Sequence, residues 1–154
     1  MGNAVIDVVS LLRYGEFLFN LGLMDRRQAT VMQEGCDKAA GMIHDGDYEE
    51  AFPLLVSLIY GVIADLPTYF GNVTGYSYAY NYLLTEEPEA NQRYESFVKS
   101  PAVRRAIHVG EQEFKKNNIA IATDLGEDLL TSSKEEFTVL LDNYKVFISC
   151  NLSV

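Results

Sequence analysis

Apolar residues recur at three- and four-residue spacing along most of the chain, the periodicity of helices that bury one face. Leu11, Tyr14, Leu18 and Leu21 form one such stripe, broadened by Phe17, and predict a helix over residues 10 to 23. Gly22 loosens its end, and Asp25 with Gln28 has the spacing of a reciprocal cap for the next helix. That second helix is expected over residues 26 to 44, with Ala29, Met32, Cys36, Ala39, Ala40 and Ile43 inward and Gly35 and Gly41 weakening it. His44-Asp45-Gly46-Asp47 reads as a turn. Asp47 and Glu50 repeat the capping pattern before a third helix, in which Ala51, Leu55, Leu58 and Val62 make a stripe flanked by Phe52, Ile59 and Ile63. Pro53 removes a backbone donor there, and should kink this helix or delay its start.

Beyond that point the pattern is weaker. Residues 66 to 75 read as irregular, with Pro67, Gly71 and Gly75 marking turns. Tyr76-Ser77-Tyr78-Ala79-Tyr80-Asn81-Tyr82 is aromatic-rich; its alternation permits a strand and its flanks permit a helix. A helix over 90 to 99 would turn Tyr94, Phe97 and Val98 to one side. Ser100 as cap and Pro101 at the first helical position start a short helix with Val103, Ala106 and Ile107 inward, ending near Gly110. Ser133 and Glu136 cap a last helix bearing Phe137, Leu140 and Leu141, and Val146-Phe147-Ile148 reads as a short buried strand. The expectation is one mainly α domain: a helical region over 8–143 and one short strand over 144–149 near the C-terminus, without repeats or linkers.

Composition narrows the partners. A chain of 154 residues has room for one sizeable core. Asp and Glu outnumber Lys and Arg 22 to 12, a formal charge of −10, which argues against nucleic acid and against an anionic membrane leaflet. Hydrophobic residues make up 48%, enough to fold, and no apolar run reaches the roughly 18 residues of a membrane-spanning helix. The aromatic usage is lopsided, with ten Tyr, eight Phe and no Trp. Cys36 and Cys150 are the only cysteines. They could form one long-range bridge in an oxidising compartment or stay as two buried thiols, and they make no CxxC pair. Met1-Gly2-Asn3-Ala4-Val5-Ile6 lacks a secretory signal, and Ile6 stands where N-myristoylation wants Ser or Thr. The chain opens as if cut from something longer, or as an unusual reading frame.

Catalytic chemistry is hard to place on these residues. The nearest match to a G-x-S-x-G nucleophile elbow is Gly75-Tyr76-Ser77-Tyr78-Ala79, which lacks the second glycine. There is no phosphate-cradling glycine loop. His44 and His108 are the only histidines. His44 beside Asp45 and Asp47 reads as a solvated turn rather than a metal site. His108 reads as a structural histidine near a helix C-terminus, where the dipole favours its positive form. The carboxylates at Glu49–Glu50, 86–89 and Glu135–Glu136 read as solvated faces and caps. No catalytic, metal or cofactor residues are assigned. Asn72-Val73-Thr74 fits the N-glycosylation acceptor pattern, as does Asn151-Leu152-Ser153 close to the end.

Several stretches together resemble the serine carboxypeptidase family, in particular its vitellogenic, retinoid-inducible and venom-type animal members. They are Gly2-Asn3-Ala4-Val5-Ile6-Asp7, Tyr14-Gly15-Glu16-Phe17-Leu18-Phe19-Asn20-Leu21-Gly22-Leu23-Met24-Asp25, and Tyr69-Phe70-Gly71-Asn72-Val73-Thr74-Gly75. Further on come Pro101-Ala102-Val103-Arg104-Arg105-Ala106-Ile107-His108-Val109-Gly110 and Asn143-Tyr144-Lys145-Val146-Phe147-Ile148. They follow the family's order and approximate spacing nearly to residue 148. The resemblance implies a middle section of a longer α/β-hydrolase, chiefly the helical cap (insertion) subdomain that roofs the active site. The family's elbow, of G-E-S-Y-A-G type, and its oxyanion-hole glycines would lie upstream, and its catalytic His beyond the end. The catalytic Asp position, in an N-G-Q-L-D type sequence, falls on or near Val154, so no triad member carries over. The Asn72 sequon matches a glycosylation position of relatives, and Cys36 aligns with a family cysteine whose usual partners are missing here.

Similarity stops abruptly after Ile148, as a truncated transcript or gene copy ending at an exon boundary would. Three functions follow as expectations. The first is a non-catalytic, cap-like interaction protein that uses an apolar underside for self-association or a protein partner. The second is a fragment of an active carboxypeptidase, with other chains supplying the triad. The third is an independent small hydrolase using Ser77 and His108. The resemblance points to a secretory or lysosomal location, and the missing signal to the cytoplasm if the chain is made as it stands.

Overall fold

The structure is a computed structural model that describes residues 5–61 and 66–148. A 3-10 turn at Val9–Leu11 precedes α1 (Tyr14–Asn20), and the long α2 (Arg26–Asp45) follows a short bend. Next is α3 (Tyr48–Leu55), which runs directly into a π-helical turn at Val56–Tyr60. After α4 (Tyr69–Thr74) comes a loop, then a 3-10 turn at Glu89–Gln92 leading into α5 (Arg93–Lys99) and α6 (Pro101–Ala106). The chain closes with α7 (Ile119–Asp124), α8 (Gly126–Leu130) and α9 (Lys134–Asn143). The mainly helical expectation stands.

The core is built around α2. It packs on α1 and α3, α3 packs on α8, and α4 leans on the π turn. Ala29, Met32, Cys36, Ala39 and Ile43 are buried on α2 as the periodicity requires. They meet Leu18 of α1, Ala51, Phe52 and Leu55 of α3, Leu58 and Ile59 of the π turn, and Phe70 of α4. Val62 and Ile63 lie outside the described residues. Two glycines read as helix-weakening or unremarkable have packing roles. A Cβ on Gly15 would lie 2.7 Å from the Gln33 Cβ and overlap the Ala29 carbonyl, so glycine lets α1 approach α2 closely. A Cβ on Gly35 would come within 2.8 Å of the Leu58 side chain. Gly41, by contrast, faces open space.

The capping expectations split on backbone geometry. Asp25 is extended (φ −74°, ψ 171°), so its carboxylate accepts the Gln28 N–H at 2.8 Å while the Gln28 side chain accepts the Asp25 N–H at 2.9 Å. Asp47 (ψ 57°) and Ser133 (ψ 24°) are not extended, and neither side chain caps its helix. Ser100 has the right backbone, but its hydroxyl turns back and donates to the Phe97 carbonyl at 2.7 Å. Thr68, outside the expected caps, starts α4 by accepting the Gly71 N–H at 2.9 Å, so residues 69 to 74 are helical rather than irregular.

Other expectations are corrected. The 3-10 turn at Val9–Leu11 puts Leu11 out of phase with α1, so Leu12 rather than Leu11 is buried with Leu18; Phe17 and Leu21 are exposed as well. Residues 76 to 82 are neither strand nor helix. Val146-Phe147-Ile148 is not a buried strand. No described residue donates or accepts a backbone hydrogen bond with Lys145–Ile148, and Phe147 is 83% exposed. A strand needs a neighbouring strand to pair with, and the described helices offer none. In α5, α6 and α9 the supposed inward faces are largely uncovered: Tyr94, Phe97, Ala106, Ile107, Leu140 and Leu141 are exposed, and Val98, Val103 and Phe137 are half-buried. α7 and α8, six and five residues long, are too short for apolar periodicity to mark.

Candidate functional surface

The residues singled out for chemistry do not form one constellation. Ser77 sits in the loop after α4, where its hydroxyl donates to the Thr85 carbonyl at 3.3 Å and its N–H bonds the same oxygen at 2.9 Å. Both contacts hold the turn of a loop. His44 is exposed in the last turn of α2, near the negative end of that helix's dipole. His108 is exposed beyond α6 with a left-handed backbone (φ 58°), which side chains rarely adopt. It therefore serves as a turn residue, with its N–H on the Arg105 carbonyl at 3.3 Å. Among the described residues no group of three or more His, Cys, Asp or Glu is arranged to hold a metal ion. No described helix is long and apolar enough to cross a membrane.

Cys36 lies in the middle of the core, fully buried, and desolvation pushes its thiol up from its ordinary value. Cys150 lies outside the described residues, as do Asn151 and the position aligned with a catalytic Asp, Val154. Asn72 is exposed on α4. Its companion Thr74 donates to the Phe70 carbonyl at 2.8 Å and accepts the Tyr76 N–H at 3.1 Å, so the sequon is part of a folded turn.

The aromatic surplus has a structural use. Phe70 is the hub, with edge-on contacts to Tyr76 (6.2 Å) and Tyr82 (5.9 Å), while Tyr82 also meets Phe17 at 5.6 Å. These rings fix the Tyr76–Tyr82 loop onto α1 and α4 without secondary structure. Tyr14 and Tyr60 share a hydroxyl–hydroxyl bond of 2.7 Å, joining α1 to the π turn. Burial, then the Tyr60 hydroxyl, raise the Tyr14 phenol far above its ordinary value, so it stays neutral. Phe70, Asn72, Tyr76 and Ser77 border an open recess of about 410 Å³.

The feature with most chemical consequence is uncovered apolar area. Ile121, Leu125 and Leu129, spaced by four along α7 and α8, are all exposed. So are Val139 (61%), Leu140 and Leu141 of α9, and Tyr144, Val146, Phe147 and Ile148 after it. The signal for the first group was present as i, i+4, i+8 spacing, but it is broken at Leu125, where α7 ends, and so is short in each helix. α9 buries none of its ten residues.

Comparison with known proteins adds the ancestry. The chain is 39% identical over 149 residues to the probable serine carboxypeptidase CPVL of Homo sapiens, covering 96% of this chain and 31% of that protein. It is 32% identical to the vitellogenic carboxypeptidase of Aedes aegypti, covering 95% and 31%, and 30% identical to the venom serine carboxypeptidase of Apis mellifera, covering 96% and 32%. The chain thus spans about a third of the length of these relatives. No family model matches it, and no solved structure does.

Proposed function

We propose that this chain, a relative of the serine carboxypeptidases, acts by binding rather than by catalysis. The occupant of its apolar surface would be a second copy or a protein partner. The single observation carrying this reading is the uncovered apolar side chains of α7 to α9 and of Tyr144–Ile148. Isolated exposed apolar residues are ordinary; this many within some thirty positions of a −10 chain are what a binding surface supplies. The placement of Ser77, His44 and His108 in separate turns supports the non-catalytic half of the proposal. Light scattering across a concentration series tests it. Association that weakens in Leu140→Ser and Phe147→Ser is expected. A strict monomer at high concentration that also captures no serine carboxypeptidase from the source tissue would refute it.

A second reading rests on the kinship itself: the chain is a section of an active carboxypeptidase, whose reacting groups come from other chains. Release of C-terminal residues on mixing with a full-length relative would favour this version. Asn72, exposed on α4, is the proposed glycan acceptor in either case, with a mass shift on enzymatic deglycosylation as its check.

A further inference from the structure

α9 carries apolar side chains yet buries no residue. Its attachment to the rest of the molecule is instead polar and concentrated at its first turn. The Lys134 ammonium pairs with the Asp7 carboxylate at 2.6 Å, and the Ser133 N–H donates to the Ile6 carbonyl at 2.8 Å. Asp7 is held in turn by its own segment: the Ser10 N–H donates to its carboxylate at 3.1 Å and the Ser10 hydroxyl donates to its carbonyl at 2.8 Å. It is the one buried charged residue among those described, 8% exposed, whereas Lys134 is 64% exposed. A buried carboxylate that lost this cation would keep its desolvation cost with less to offset it, so the pair is coupled to the position of the helix.

We propose that the Asp7 clasp is a latch that keeps α9 folded and sets where its apolar face points, and that opening it converts residues 134–148 into a mobile apolar arm. The reason lies in helix length. A helix of ten residues is marginal in water by itself, because most helical stability in proteins comes from packing a face, and α9 has only Phe137 half-buried among its apolar side chains. Detachment and melting are therefore one event, an order–disorder switch of the kind that regulates exposed segments. The proposal rests on the binding reading above only for its functional meaning, since the arm bears the residues offered there as the binding surface.

The latch also has a direction in pH. The Lys134 bond holds the Asp7 carboxyl below its ordinary value, aided by Ser132 and Ser10 and opposed by burial. A depressed carboxylate contributes stability above its unfolded value and loses it as pH falls through the folded one. The latch thus stays shut at neutral and mildly acidic pH and opens only in stronger acid.

Hydrogen exchange on the full chain tests this without reference to any partner. In Asp7→Asn and Lys134→Met, the amides of 134–143 should exchange about tenfold faster, the scale of a lost charge-assisted bond, while those of 26–59 keep their rates. Lys134→Arg should restore slow exchange. Unchanged exchange of 134–143 in both variants would overturn the latch, and so would equal acceleration through α2 and α3, which would make Asp7 a general stabiliser. Failure of the binding reading shows separately, as a strict monomer whose arm still loosens on substitution.

Discussion

Residues 12–61 with α4, and residues 89–148, have similar helix-forming patterns but fare differently in the fold. In the first, a stripe at helical spacing finds a second stripe: Met32 and Cys36 of α2 meet Leu18 on one side and Leu55 and Leu58 on the other. In the second, Gly126 and Leu130 are the only buried residues, and Leu130 is buried by joining the first region's core. Amphipathicity is a property of one segment, whereas burial is a property of two. The contrast teaches that apolar spacing measures what a helix can offer, and the presence of a facing element decides whether the offer is used.

That contrast can be broken or sharpened by substitution. The largest effect is expected in the first region, where Leu18→Ala or Met32→Ala empties a fully buried site and should cost about 2–5 kcal/mol, read from denaturant midpoints. Next comes Asp25→Ala, which removes the carboxylate that accepts the Gln28 N–H while leaving the residue-25 N–H to the Gln28 side chain, and should cost about 1 kcal/mol in the same measurement. The smallest effect is expected in the second region. Val139→Ser should change stability by less than about 0.5 kcal/mol, because the side chain is already in water. A loss comparable with that of Met32→Ala would mean that α9 is buried after all, and would erase the distinction between the regions.

The sequence made α2 and α3 legible because each signal there is local and long. The Asp25–Gln28 cap lies within one turn, and the five buried positions of α2 repeat over twenty residues. At the start of α1 the burial of Leu12 rather than Leu11 follows from a 3-10 turn, a break that spacing alone does not carry. The strand at 146–148 failed for a different reason. Its composition suits a strand, but pairing is non-local, and the described helices present no edge to it. For the functional surface, motifs singled out Asn72, Ser77, His44 and His108. They could not show that Ser77 and His108 are turn residues, since that depends on Thr85 and on a left-handed backbone.

Cys36 turns the interior into a clock. Its thiol touches no solvent, and burial suppresses the thiolate that alkylating reagents attack. Reagent can reach it only when α1 and α3 part from α2, so the rate at which Cys36 is modified counts those openings one by one, in the first region and independently of anything α9 does.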